Sequence, residues 1–232
     1  MTQPALTAFD SDHAAAYDAR FAKLQAFRDA LHLVAAGVLL DCPQDARILC
    51  VGAGTGAEIL ALAERYPGWH FTAVEPSAAM LEVCQRKVAA AGIADRCVMH
   101  EGYLDSLPEV EPFDAAISFL VSQFVLEIDQ RVEFFRRIAD RLTDDGVLIN
   151  ADLSARLGSE EYDKLFALWA KLFAICGITQ EQIEGLRSAY GRDVSVLPSE
   201  QVAAMIRSAG FEEPLEVLQT VMIRAWVARV VK

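Results

Sequence analysis

Apolar residues recur along this chain at two rhythms, and their alternation predicts the architecture. From about residue 12 to 40 the spacing is helical: Tyr17, Phe21, Leu24 and Phe27, then Leu31, Val34 and Val38, with Pro43 marking the exit. Residues 47–51 form a short apolar run ending in glycines, which suits a buried parallel strand. A helical pattern through Ile59, Leu60, Leu62 and Ala63 follows, stopped by Pro67-Gly68. Residues 69–74 read as a second strand, and Ser77 caps a helix carrying Met80, Leu81, Cys84 and Val88 on one face. Residues 96–100 and 113–119 give two more strands. A helix over 129–142, a turn at Asp144-Asp145-Gly146 and a fifth strand over 147–151 come next.

Strands alternating with helices imply a parallel sheet with right-handed crossovers and helices on both faces. The stretch 159–188 is helical and breaks that alternation, so it reads as an insertion over the carboxyl edge of the sheet. Pro198-Ser199 opens another helix that stops at Gly210, and two apolar runs, 215–219 and 221–230, predict a closing antiparallel pair. The expected fold is α/β, Rossmann-like and doubly wound: a mostly parallel seven-stranded sheet with a closing antiparallel hairpin and a helical lid. The 232 residues suit one domain, with an N-terminal helical lid (1–43), a cofactor-binding core (44–153), a helical insertion over the acceptor site (154–198) and a closing helix and hairpin (199–232).

Charge and composition narrow the functions. A net charge of -12 sets the average surface against phosphate backbones and anionic membranes, which disfavours nucleic acid as a partner. The first ten residues lack the cationic start and apolar core of a signal peptide, and the apolar stretch 33–40 is too short to cross a bilayer. Cys42, Cys50, Cys84, Cys97 and Cys176 are odd in number and widely separated, as expected of reduced thiols in the cytoplasm. With no CxxC pair and with His13, His32, His70 and His100 scattered, no metal site is expected.

The chemistry concentrates after the first strand, in Val51-Gly-Ala-Gly-Thr-Gly-Ala-Glu58. Glycines at 52, 54 and 56 allow a tight turn free of β-carbons, so a nucleoside ligand can approach the main chain, while the following helix offers its first amides. A purely structural turn is the alternative. Glu75, 19 residues after Gly56 and at the end of the second strand, is placed to accept hydrogen bonds from both ribose hydroxyls. Otherwise it is a solvent-facing residue leading into Pro76 and Ser77.

Taken in order, Ile48–Gly56, Ala73-Val-Glu-Pro-Ser77 with Met80-Leu81, His100-Glu-Gly-Tyr103, Phe113-Asp-Ala-Ala-Ile117 and Leu142-Thr-Asp-Asp-Gly146 resemble the class I S-adenosylmethionine methyltransferases over roughly 46–152. More distantly, Gln123-Phe124 and Ser208-Ala-Gly-Phe211 make the chain similar to small bacterial enzymes related to the carboxymethyl-transferring tRNA-wobble-uridine group. The resemblance implies S-adenosylmethionine as cofactor and assigns roles. Gly52, Ala53, Gly54 and Gly56 form the turn, Gly52 to Gly54 lining the methionine and ribose portions. Glu75 holds the ribose diol, Pro76 and Met80 flank the adenine, and Gly102, Tyr103 and Leu104 close over its other side. Phe119 and Leu120 meet the methionyl amine through a backbone carbonyl. Tyr17 and Arg20 cover the site and reach the cofactor's carboxylate, unless they serve helix packing alone. Two departures from the family pattern bear on cofactor affinity or identity: Cys50 and Tyr103 stand where many relatives carry acidic residues, and Asp105 is a substitute for the second.

Methyl transfer from a sulfonium requires alignment above all, and a base only where loss of the acceptor's proton limits the rate. The catalytic residue is therefore left open. Asp152 and His13 are candidate bases, with helix capping or a solvated charge as the plainer reading, and Glu127 and Tyr190 rank below them. The segment 153–197, with Phe166, Trp169, Phe173 and Tyr190, suggests a small, partly apolar acceptor. Arg187 and Arg192 are the cations a carboxy-S-adenosylmethionine donor would need, a minority reading. Two rivals remain: an NAD(P)-dependent oxidoreductase, because Gly52, Gly54 and Ala57 satisfy the GxGxxG/A fingerprint, and a non-catalytic cofactor-binding module. A homodimer is left open.

Overall fold

The computed structural model describes residues 22–231. A turn of 3-10 helix, Ala22–Leu24, leads into α1 (Gln25–Val38), so the helix expected from residue 12 is seen from 22 onward and its earlier part lies outside the described residues. The core then alternates as expected: β1 (Arg47–Val51), α2 (Ala57–Arg65), β2 (His70–Glu75), α3 (Ala78–Ala90), β3 (Cys97–Glu101), β4 (Phe113–Phe119), α4 (Ile128–Ala139) and β5 (Leu142–Leu153). The predicted insertion resolves into two helices, α5 (Glu160–Ile175) and α6 (Gln180–Ala189), because Gly177 takes a left-handed φ of 83° and Thr179 with Gln182 forms a capping box. α7 (Ser199–Ser208), β6 (Leu215–Thr220) and β7 (Ile223–Arg229) complete the chain.

The seven strands lie in the order β3-β2-β1-β4-β5-β7-β6, with β7 antiparallel to both β5 and β6. Central β1 shows why the pattern reads so clearly: Ile48 and Cys50 face one core, Leu49 and Val51 the other, and all four are buried. On the first face α1, α2 and α3 contribute Ala35, Ile59, Leu62, Cys84 and Val88. On the second, α4 and α7 contribute Phe135, Ile138, Val202 and Ile206. A third apolar cluster joins α1 to the insertion, where Phe27 stacks on Trp169 at 5.9 Å and 15°.

One expectation is corrected. The Asp144-Asp145-Gly146 turn does not precede β5 but lies within it: Phe113 pairs with Leu142, yet Ala115 pairs with Val147, so the extra residues bulge out of an otherwise continuous strand. The strand order reverses between β1 and β4, and in open α/β sheets ligands bind in the crevice at the carboxyl ends of the strands flanking such a reversal.

Candidate functional site

That crevice opens where β1 runs into the glycine turn. Gly52, Gly54 and Gly56 have φ of 69°, 51° and 76°, the left-handed region that glycine tolerates best. They are glycines for different reasons. A Cβ on Gly52 would stand 2.4 Å from Val121 Cγ2, and one on Gly56 would stand 2.4 Å from Cys84 Sγ, so both serve close packing. At Gly54 the nearest atom to such a Cβ is Met80 Cε at 4.0 Å. The main chain there is bare on an open face, bordered by a side chain expected to flank an adenine.

Glu75 is tied to this turn. Its Oε2 accepts from the Gly54 amide at 2.9 Å and its Oε1 from the Ser77 amide at 2.9 Å. Burial pushes its pKa up while the two amides pull it back, the charge-assisted bonds favouring the ionised form. Two bonds leave acceptor capacity on both oxygens for a ribose diol. The loop after β3 closes beside it: Gly102 N donates to Glu75 O at 3.1 Å, Tyr103 is half-buried, and Leu104 is sunk in the core with Val51 and Val74. Asp105 pairs with Arg137 at 3.0 Å, so its carboxylate is turned to α4.

Across the reversal, Phe119 ends β4 and its ring stacks on His32 of α1 at 6.4 Å. Leu120 takes φ 61°, a conformation costly for a branched residue, and its amide donates to Ala151 O at 2.6 Å. His32 is buried, and that burial, aided by Arg28, lowers its pKa to about 4, leaving a neutral imidazole at the crevice. Glu58, in the first turn of α2, is half-buried, with its pKa raised to about 7 by burial first and by the Glu75 charge second. Arg28, His32 and Glu58 are not singled out as candidate site residues by any sequence motif. An i, i+4 pair on α1 and an acid two positions after the last glycine were the available signals, but neither is distinctive without the sheet behind it. Tyr17, Arg20 and His13 lie outside the described residues.

Asp152 is at the same carboxyl edge in a different environment. It is buried, with an ion pair to the equally buried Arg131 at 3.0 Å. It also accepts from Ser122 Oγ at 2.6 Å, Asn150 Nδ2 at 2.6 Å and Gln123 N at 3.1 Å. Arg131 in turn reaches Ser122 Oγ and Ser195 O, and Gln123 Oε1 accepts from Leu153 N. The network clamps the turn after β4 to the end of β5 and to the segment entering α7. A carboxylate so engaged is a structural anchor. Tyr190 accepts from Trp169 Nε1 at 3.1 Å within the aromatic cluster, and burial pushes its pKa up to about 12. Arg187 pairs with Asp163 and lies over the Phe166 ring, while Arg192 pairs with its neighbour Asp193. Among the described residues, no group of three His, Cys, Asp or Glu is placed to hold a metal, and no helix is long and apolar enough to cross a membrane.

Residues 48–146 match the family described as a methyltransferase domain. A carboxy-S-adenosyl-L-methionine synthase of Campylobacter hominis is 27% identical over 145 residues, 62% of this chain and 60% of that one. Its namesake from Campylobacter lari is 23% identical over 95% of this chain and 93% of its own length. Among solved structures, a provisionally assigned O-methyltransferase of Nostoc punctiforme superposes with a TM-score of 0.71 at 18% identity, over 94% of this chain and 59% of that chain. An O-methyltransferase family protein of Burkholderia thailandensis gives 0.67 at 13% identity, over 97% and 61%. The chain thus spans about three fifths of these two structural neighbours, and the likeness to them establishes the fold.

Proposed function

We propose that this chain, whose residues 48–146 form a class I S-adenosylmethionine-dependent methyltransferase domain, binds S-adenosylmethionine and methylates a small-molecule acceptor. The observation that carries this reading is the bare Gly54 main chain beside a Glu75 carboxylate already tethered to it. Glu75 would hold the ribose, Met80 and Pro76 the adenine, and the end of β4 the methionyl portion. The bound cofactor supplies an electrophilic methyl group on a neutral leaving thioether. The protein's part is to align the acceptor and exclude water, through proximity more than acid–base chemistry.

Electrostatics weighs against the oxidoreductase alternative. A dinucleotide would set its pyrophosphate on the first amides of α2, beside the carboxylates of Glu58 and Glu75. Two acids at that spot suit a cation. The carboxy-S-adenosylmethionine reading draws on the names of the two Campylobacter relatives. Arg187 and Arg192, the cations that donor would need, are committed to Asp163 and Asp193. Thermal-shift measurements test the proposal: S-adenosylmethionine and S-adenosylhomocysteine should raise the melting temperature and NAD(H) should not, because a ligand of the native state stabilises it. Stabilisation by NAD(H) alone would overturn it. Glu75→Ala should weaken both adenosyl ligands by about tenfold or more, the loss expected when charged hydrogen bonds are removed.

A further inference from the structure

We infer that Asp152 is a positioning residue for the cofactor crevice: with Ser122 and Arg131 it holds Leu120 in a left-handed conformation and so sets the wall opposite the glycine turn. The inference rests on the adenosyl-cofactor reading above and deepens it.

Among the described residues, Leu120 and Val221 alone combine a side chain with a positive φ, and Leu120, at 61°, stands where β4 ends beside the reversal of strand order. A left-handed backbone is costly for a bulky side chain and persists only where the surroundings over-determine it. Here they do so on both sides. The Leu120 amide donates to Ala151 O at 2.6 Å. Beyond it, Ser122 Oγ donates to Asp152 Oδ2 at 2.6 Å and the Gln123 amide to Asp152 Oδ1 at 3.1 Å, so one carboxylate grips two successive residues of the turn. Arg131 fixes that carboxylate through the 3.0 Å ion pair and donates from Nε to Ser122 Oγ at 2.9 Å. From the segment entering α7, the Ser195 amide donates to Gln123 O at 2.7 Å.

The consequence reaches the crevice by two routes. A peptide unit is planar and trans, so its carbonyl and its N–H point opposite ways. With the Leu120 N–H on Ala151 of β5, the Phe119 carbonyl points to the β1 side, where that strand runs into the glycine turn. Val121, next along the chain, is seated against Gly52: its Cγ2 stands 2.4 Å from where a Cβ on that glycine would be. Relaxation of Leu120 to a negative φ would swing the Phe119 carbonyl and displace Val121 from the turn. Asp152 has no exposed surface and acts through Ser122 and Gln123. A buried ion pair is a poor way to gain stability alone, and well-packed apolar residues could replace it. They could not hold the main chain of a strained turn.

Isothermal titration calorimetry of the full chain with S-adenosylhomocysteine tests this, with melting temperatures measured alongside. Ser122→Ala loosens the grip while leaving the Arg131–Asp152 ion pair in place. It should weaken binding about five- to tenfold, since affinity falls with the fraction of molecules that keep the competent turn. In a Leu120→Gly background the same substitution should weaken binding by less than about twofold, because glycine adopts the left-handed φ without being held there. The melting temperature should fall on Ser122→Ala in both backgrounds. A cluster that only stabilised the fold would lose melting temperature and keep its affinity, and that result would overturn the inference. So would an equal affinity loss in the two backgrounds. Should Ser122→Ala not fold, position 120 decides the matter alone. Leu120→Val should bind more weakly than Leu120→Gly, because a β-branched residue tolerates the left-handed region least, and the reverse order would overturn the inference. Failure of the unaltered protein to bind the ligand at all would instead sink the cofactor reading, and this inference with it.

Discussion

Glu75 and Asp152 are both carboxylates at the carboxyl ends of strands in one sheet, and their surroundings give them opposite occupations. Glu75 accepts two backbone amides of its own turn and keeps a face toward the bare main chain of Gly54. Asp152 is surrounded by Arg131, Ser122, Asn150 and the Gln123 amide, with no exposed surface. An acid becomes available for ligands when the groups that stabilise its charge are local and leave lone pairs free. It becomes architecture when distant side chains claim all of them. The same contrast separates Gly54 from Gly56: one is bare toward a crevice, the other is pressed on Cys84.

The largest effect should come from the Asp152 side. Arg131→Met leaves a buried carboxylate without its counter-charge and should lower the unfolding free energy by about 3–5 kcal/mol, as breaking buried pairs does. Urea denaturation measures it, and a loss below about 1 kcal/mol would mean that Asp152 is not the anchor described. Next, Gly56→Ala should destabilise by about 2 kcal/mol, from left-handed strain together with the contact against Cys84. Gly54→Ala carries similar backbone strain without the clash, so it should cost about 1 kcal/mol in stability yet reduce S-adenosylmethionine affinity at least tenfold. If the two variants exchanged these phenotypes, the open face would have been assigned to the wrong glycine.

A further effect is in pH dependence. The native state holds a proton on Glu58 that the unfolded chain releases near pH 4.5. That contribution to stability is full below this pH and is lost as pH rises toward about 7. Glu58→Gln should flatten this part of the curve of unfolding free energy against pH. A curve of unchanged slope would place Glu58 in solvent.

Much of the fold was legible because its signals are local. The bounds of β1 and β4 and the Ser77 cap follow from runs and spacings within a few residues, and the cap is formed, with Ser77 Oγ accepting from Met80 N. The bulge in β5 was not legible, since Asp144-Asp145-Gly146 has turn chemistry and only pairing with β4 keeps it in the strand. The break between α5 and α6 was available in Gly177 and Thr179 but was obscured by continuous helical periodicity. The spacing of the glycine turn and Glu75 is legible in the sequence, and the fold brings Gly54 and Glu75 into hydrogen-bond contact. Asp152 reads as a candidate base in the sequence because nothing near it there announces Arg131 or Ser195.

By itself, the order of residues determined an alternating α/β sheet, a glycine turn that exposes main chain after β1, and an acid at the end of β2. Each of these depends on dihedral preference and periodicity, which neighbouring residues settle. Only the tertiary structure decided which carboxylate is free, which is sealed and which sits poised near neutrality. Charge states depend on desolvation and on partners brought from remote parts of the chain, such as Arg131 to Asp152 and Arg28 to Glu58.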